Sequence, residues 1–265
     1  MTTSLGTALI TGASEGIGAI YADRLARRGY DLVVVARNRD KLDELAAGIR
    51  AATGRSVEIL PADLTEAGDL ARVEQRLREG TPVDLLVNNA GSSTLSGFAD
   101  LTSAQVSSLL GLNVVSLTRL AWAATGAMLA RGTGTVINIG SVVSLNHLPN
   151  AALYAATKAF VLTLTQALDA ENGNKGIRFQ AVLPGATRTE IWAKSGLPVE
   201  HLPQEIVMEA GAMVDAALAG LDQGELVTIP ALVDVDGWTR LEAARLALGD
   251  QLSRATPAPR YAGQL

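Results

Sequence analysis

The stretch Thr7-Ala8-Leu9-Ile10-Thr11-Gly12-Ala13-Ser14-Glu15-Gly16-Ile17-Gly18 decides the fold. A short apolar run, Thr7 to Ile10, enters a glycine-rich turn, and an amphipathic stretch from Gly16 to Arg28 follows at once. A strand that meets a helix through such a turn presents backbone N–H groups and a helix N-terminus to whatever lies beyond the strand, which suits a diphosphate. Glycine-rich turns also occur in ordinary strand-to-helix connections. Between the first strand and the first helix, however, this one reads as a nucleotide loop, with Gly12, Ser14, Glu15, Gly16, Ile17 and Gly18 as candidate contacts.

Outward from that loop, short β-branched runs alternate with longer amphipathic stretches. The strands expected are Thr7 to Ile10, Asp31 to Ala36, Ser56 to Leu60, Asp84 to Val87, Gly134 to Gly140, Ile177 to Leu183 and Leu226 to Ile229. The helices expected between them are Gly16 to Arg28, Arg39 to Thr53, Glu66 to Glu79, Thr102 to Ala130, Ala151 to Asn172 and Pro203 to Leu221. This order predicts an α/β fold: a doubly wound, seven-stranded parallel sheet with helices on both faces. Gly29, Gly54, Gly80, Gly132 and Gly173 fall where left-handed residues end helices. No linker or repeat divides the chain, so residues 1–265 read as a single domain, with the tail Ser253 to Leu265 unassigned.

Composition narrows the function classes. The 265 residues are 48% hydrophobic and 18% charged and include 26 Gly and no Cys, which argues against disorder, a disulfide scaffold and a cysteine metal site. A net charge of -5 disfavours a nucleic-acid surface. The uncharged stretch Gly132 to Thr157 has the length of a membrane span, but Asn138, Asn146, His147, Pro149 and Asn150 interrupt it, so no membrane association is expected. The N-terminus carries no export signal, and a cytoplasmic location is expected. His147 and His201, the only histidines, read as loop residues, and no metal is expected.

The second strand ends Val34-Val35-Ala36-Arg37-Asn38, with no carboxylate at its tip. A carboxylate there suits the ribose of NAD(H) and an arginine suits a 2'-phosphate, so Arg37 predicts NADP(H) over NAD(H). Further on, Tyr154 and Lys158 stand four residues apart, on one face of a helix. A free tyrosine titrates near pH 10, and a neighbouring ammonium is the expected agent for lowering it. Ser141 lies just past a strand, at the edge where open sheets bind ligands.

Together these residues resemble the short-chain dehydrogenase/reductase family, over about residues 5 to 230. The ordered motifs are TGASEGIG at 11–18, Asp63-Leu64, Asn88-Asn89-Ala90-Gly91, Asn113, Ser141, Tyr154-x-x-x-Lys158, and Pro184-Gly185 with Thr189 beyond. The resemblance implies a Rossmann-type fold and hydride transfer between a nicotinamide and a carbonyl or secondary alcohol. By position, Tyr154 resembles the general acid/base, Ser141 the residue orienting the substrate oxygen, and Lys158 the holder of the nicotinamide ribose that lowers the Tyr154 pKa. Asn113 would hold a water linking Lys158 to solvent. Asp63 and Leu64 resemble adenine contacts, while Asn89, Ala90 and Gly91 would pass beside the adenosine ribose. Pro184, Gly185, Thr187 and Thr189 match the segment that meets the carboxamide and diphosphate.

Two regions depart from or extend the family pattern. An atypical C-terminal extension, about 230–265, puts a tetramer in doubt and favours a homodimer through the helices carrying Asn113 and Tyr154, with Phe160, Val161, Leu164 and Leu168 as the apolar outer stripe. Residues 186–203 have the composition of a substrate lid, containing Ile191, Trp192, Lys194, Leu197 and His201. Val142, Val143, Leu145 and Leu148 are expected to line the same pocket, which predicts an apolar small-molecule substrate. The alternative is a non-catalytic dinucleotide sensor on the same fold, which would predict an eroded Ser, Tyr or Lys.

Overall fold

In β1 (Thr7–Thr11) and β2 (Asp31–Ala36), side chains alternate between two apolar layers: Ala8, Ile10, Leu32 and Val34 join one core, and Leu9, Val33 and Val35 the other. The period-two pleat sends successive side chains to opposite faces, and both faces are covered, so the strands read as unbroken apolar runs. The structure, a computed structural model, describes residues 4–261 apart from 196; the side chains of Ala193, Lys194 and Asp250 also lie outside the description.

The other strands are β3 (Val57–Pro61), β4 (Leu85–Asn88), β5 (Gly134–Ile139), β6 (Ile177–Val182), β7 (Thr187–Arg188), β8 (Met208–Glu209) and β9 (Val227–Thr228). The main sheet has seven strands in the order β3-β2-β1-β4-β5-β6-β9, every pair parallel, as expected. Strand order reverses between β1 and β4, and an open parallel sheet leaves its ligand crevice at the carboxyl ends of the strands at such a point. β7 and β8 form a separate parallel pair.

The helices are α1 (Gly16–Arg28), α2 (Arg39–Thr53), α3 (Ala67–Arg78), α4 (Ser103–Leu110), α5 (Leu117–Arg131), α6 (Ala152–Asn172), α7 (Ile191–Lys194), α8 (Ala210–Asp222) and α9 (Val235–Ala247). Tyr21 and Leu25 of α1, Leu42 and Ile49 of α2, and Val214 and Leu218 of α8 fill one face of the sheet. Leu70 and Val73 of α3 and Leu120 and Met128 of α5 fill the other. Each fully buried side chain of this kind contributes roughly 1.5–3 kcal/mol. The chain divides into two compact units, Met1–Pro230, which holds the sheet, and Ala231–Leu265. The second unit holds α9, whose N-terminus is capped by Asp234 accepting from the Asp236 N–H at 3.0 Å.

Several local expectations are corrected. The helix expected from Thr102 to Ala130 widens between α4 and α5 into a π turn, Gly111–Ser116, with Asn113 turned inward; such turns recur at functional sites. The whole helical run, Ser103–Arg131, has the length and apolarity of a membrane span, yet Leu120, Ala124 and Met128 face the core of this domain. The helix expected from Pro203 begins only at Ala210, because the Met208 N–H donates to the Ala186 carbonyl at 2.8 Å and draws Met208–Glu209 into pairing with β7. Gly29, Gly54, Gly80 and Gly132 adopt positive φ as expected, but Gly173 (φ -59°) continues α6 as a 3-10 turn and Gly176 (φ +83°) takes the left-handed position. In the expected outer stripe of α6, Val161 is fully buried and Leu168 packs against the core, leaving Phe160 exposed and Leu164 half-buried.

Candidate active site

The nucleotide loop is shaped by its own backbone. Gly12 (φ +65°) and Gly16 (φ +56°) are left-handed, where a side chain is strained. A Cβ on Gly12 would stand 2.8 Å from Asn89 Nδ2 and 3.0 Å from Ala90 Cα, and one on Gly18 would strike the Gly12 carbonyl. The loop is pinned to the end of β4: Asn89 Nδ2 donates to the Thr11 and Gly12 carbonyls at 2.9 and 3.2 Å. The Asn89 and Ala90 N–H groups both donate to Thr11 Oγ1 at 3.0 Å. The sequence reading missed Thr11, although its place immediately before Gly12 was a signal. Asn89, expected beside the adenosine ribose, uses its side chain to hold the loop.

No side chain caps the first turn of α1 at Glu15, so that helix end keeps its donors for an anion. The glycine cradle and this uncapped helix end together fit the diphosphate of a dinucleotide. Thr189 closes the loop from the far side, with its Cγ2 at 3.4 Å from a Cβ placed on Gly16. Ile17 is half-buried, with its side chain packed against the core.

At the adenosine end, Arg37 is 77% exposed and stands 3.8 Å from Asp63, a loose pair that leaves the guanidinium available to a phosphate. Asp63 accepts from the Thr65 hydroxyl at 2.6 Å and its N–H at 3.0 Å. The Thr65 hydroxyl, more than the Arg37 charge, holds the Asp63 carboxyl below the usual aspartate range. Leu64, expected to meet the adenine, has its side chain buried in the core with Leu70 and Val73. Lys41 reaches back from α2 to Glu15 at 2.7 Å; nothing in the periodicity marked this pairing, which joins residues 26 positions apart.

The chemical residues converge at the ends of β4 and β5. Ser141 follows β5, and its Oγ donates to the Pro184 carbonyl at 3.4 Å while the Val142 N–H donates to the same carbonyl at 3.0 Å, tying β5 to the segment after β6. Asn150, the described non-glycine residue with positive φ (59°), turns the chain just before α6. On α6, the Lys158 ammonium donates to the Ile139 carbonyl at 2.9 Å and stands 5.7 Å from the centre of the Tyr154 ring. Ser141 is the side chain that acts on the Tyr154 phenol against burial. Asn113 accepts from the Ser92 N–H and donates to the Ser92 carbonyl, both at 2.9 Å, and donates to Thr157 Oγ1 at 3.1 Å. A Cβ on Gly91 would lie 3.3 Å from Asn113 Oδ1 and 3.5 Å from Lys158 Nζ, so these two side chains flank that glycine.

Burial sets the protonation of this cluster. It pushes the Tyr154 phenol up to about 12, with the Ser141 hydrogen bond acting the other way, and pushes the Lys158 ammonium down to about 8. The expected lowering of the phenol by Lys158 is therefore not produced by the chain's own residues. The physical reason is that desolvation outweighs a cation held on the Ile139 carbonyl.

The segment beyond β6 supplies the remaining positions. Thr187 is buried and its hydroxyl donates to the Gly185 carbonyl at 3.1 Å, while a Cβ on Gly185 would meet open space. Trp192 Nε1 donates to the Thr187 carbonyl at 2.8 Å. A cavity of about 340 Å³ is lined by Arg188, Thr189, Trp192, Pro198 and Val199, among others. Leu145 and Leu148 are exposed, Val142 is half-buried and Val143 is buried, so the expected apolar wall is divided between surface and core. The Lys194 side chain lies outside the described residues, and His147 and His201 are exposed. A slightly larger cavity, about 380 Å³, includes Thr7, Asp31 and Ser56 at the amino ends of the strands, away from this chemistry.

Comparison with known proteins agrees with this arrangement. A family profile described as short chain dehydrogenase matches residues 6–198. The chain is 36% identical over 206 residues to mouse (Mus musculus) 17-beta-hydroxysteroid dehydrogenase type 3, a match covering 77% of this chain and 67% of that protein. It is 33% identical over 201 residues to zebrafish (Danio rerio) very-long-chain 3-oxoacyl-CoA reductase-B, covering 74% of this chain and 64% of that protein. Among solved structures, a short-chain dehydrogenase from Sphingobium yanoikuyae in complex with NADPH is 50% identical with a TM-score of 0.94, covering 97% of this chain and 100% of that one. The bulky-bulky ketone specific alcohol dehydrogenase from Comamonas testosteroni is 45% identical with a TM-score of 0.90, covering 98% and 100%. None of these similarities favours a non-catalytic dinucleotide sensor. The chain belongs to the short-chain dehydrogenase family, whose members named here are oxidoreductases of alcohol and carbonyl groups.

Proposed function

We propose that this chain is an NADP(H)-dependent reductase of bulky, largely apolar ketones, running in reverse as a secondary-alcohol dehydrogenase. The observation that carries the reading is the Lys158 ammonium, held on the Ile139 carbonyl and 5.7 Å from the centre of the Tyr154 ring, with Ser141 at the same carboxyl edge of the sheet. The cofactor, when bound, supplies or accepts the hydride. Ser141 orients the substrate oxygen, and Tyr154 gives that oxygen a proton in reduction or takes it in oxidation. Lys158 holds the nicotinamide ribose hydroxyls, and Asn113 fixes the π turn and the strand end beside it. With its phenol pushed up to about 12, Tyr154 holds its proton across the neutral range, as a donor to a carbonyl oxygen must.

Arg37 supports the 2'-phosphate of NADP(H), and the NADPH complex of the Sphingobium relative points the same way. The ketone class named for the Comamonas relative supports a bulky substrate, and Trp192, Pro198 and Val199 supply apolar surface to a cavity that Arg188, Glu190 and Glu200 also line. A homodimer through the outer faces of α5 and α6 is part of this reading, supported by exposed Trp122, Leu129 and Phe160. A single catalytic domain in the cytoplasm completes it. The test is NADPH and NADH consumption at equal concentration over a panel of neutral ketones. Faster turnover with NADPH and bulky ketones is expected, and a clear NADH preference overturns the cofactor assignment.

A further inference from the structure

The segment between β7 and β8 is held at its base by one guanidinium. Arg188 Nε donates to Glu209 Oε1 at 2.7 Å, and Arg188 Nη2 donates to Gln204 Oε1 at 2.7 Å. The third nitrogen, Nη1, stands 4.0 Å from Glu200. Gln204 in turn donates from Nε2 to the Leu202 and Val199 carbonyls at 2.8 and 3.2 Å, so the Arg188 charge reaches the turn that carries Val199. Around the same point the backbone closes: Thr187 pairs with Met208, and Arg188 with Glu209. Trp192 and Val199, within this closure, line the cavity beside Arg188 together with Thr189, Glu190, Pro198 and Glu200.

We propose that Arg188 is a positioning residue for the substrate. Its fork fastens both ends of the 189–207 segment and the Val199 turn to one another, so that Trp192 and Val199 present a fixed wall to a bulky ketone. The chemistry suits arginine, whose planar guanidinium makes separate, directed bonds to a carboxylate and an amide oxygen, whereas a lysine presents a single point charge. Exposed ion pairs contribute little to global stability, and Glu209 is 69% exposed at its side chain, so the effect of this brace is local. The proposal rests on the ketone-reductase reading for its substrate, but the brace itself is measurable without turnover.

The experiment uses the full chain with Arg188→Met, Glu209→Gln, Arg188→Lys and the exchanged pair Arg188→Glu/Glu209→Arg. Hydrogen exchange of the Met208 amide, which donates to the Ala186 carbonyl, reports the closure directly. In Arg188→Met, exchange at that amide is expected to rise about tenfold while Tm and NADPH binding hold. The KM for a bulky aryl ketone should rise about fivefold, with kcat within about twofold and a smaller change for acetone. Arg188→Lys should recover part of the loss and the exchanged pair more of it. Unchanged exchange overturns the brace, and raised exchange with an unchanged KM overturns the positioning role. Raised exchange in a chain that reduces no carbonyl supports the brace and overturns the ketone-reductase reading.

Discussion

The crevice has two ends made in different ways. Around the glycine loop, Asn89 and Thr11 hold the backbone through partly buried hydrogen bonds, and left-handed glycines admit no side chain. Across the crevice, the segment from Thr187 to Glu209 is held by a two-residue strand pair and by side-chain contacts of Arg188 that face solvent. The loop has little freedom to vary, because positive φ at Gly12 and Gly16 and the atoms packed against Gly12 and Gly18 oppose any side chain there.

The contrast is open to direct attack. The largest effect should come from Tyr154→Phe, which lies between the two ends: turnover should fall by about 10²–10⁴ while NADPH binding, followed by fluorescence titration, is retained. Retained turnover would remove Tyr154 from its role. Next, Gly12→Val places a β-branched residue at φ +65° and against Asn89, so stability should fall by about 1–3 kcal/mol in thermal melts. Affinity for NADPH should fall with it, and a variant that melts and binds as the parent does would show that the loop tolerates more than its geometry allows.

Arg37→Ala is a milder change at the same end. The KM for NADPH should rise about tenfold with that for NADH little changed, since a charged hydrogen bond to phosphate is lost. The smallest effect concerns Lys158. Its folded value near 8 lies below the free value of 10.5, so above pH 8 the folded chain releases this proton before the unfolded chain does. Stability from this group therefore rises between pH 8 and 10.5, and the cost of its buried charge is fully present below pH 8. Comparing Tm at pH 7 and 9.5, Lys158→Met should lack the gain its parent shows.

The seven parallel strands and the loop were legible because their signals are local. Alternating β-branched runs, glycines at turns and the one-turn spacing of Tyr154 and Lys158 can all be read within a few residues. The π turn at Asn113 was not legible, because it is held by Ser92 and Thr157, far away in the chain. The same holds for the late start of α8, which depends on Met208 bonding to Ala186. Val161 and Phe160 are neighbours of similar hydrophobicity, and only the packing of α6 against the sheet buries one and exposes the other.

By itself, then, the sequence determined the parallel sheet, the glycine loop between its first strand and first helix, and the spacing of Ser141, Tyr154 and Lys158, since periodicity and short spacings encode them. Only the tertiary structure decided that Asn89 and Thr11 lock the loop, that Leu64 turns into the core, and that Arg188 ties the lid at its base. It also reversed the expected direction of the Tyr154 titration. Desolvation depends on everything packed around a group, and no spacing along the chain records it.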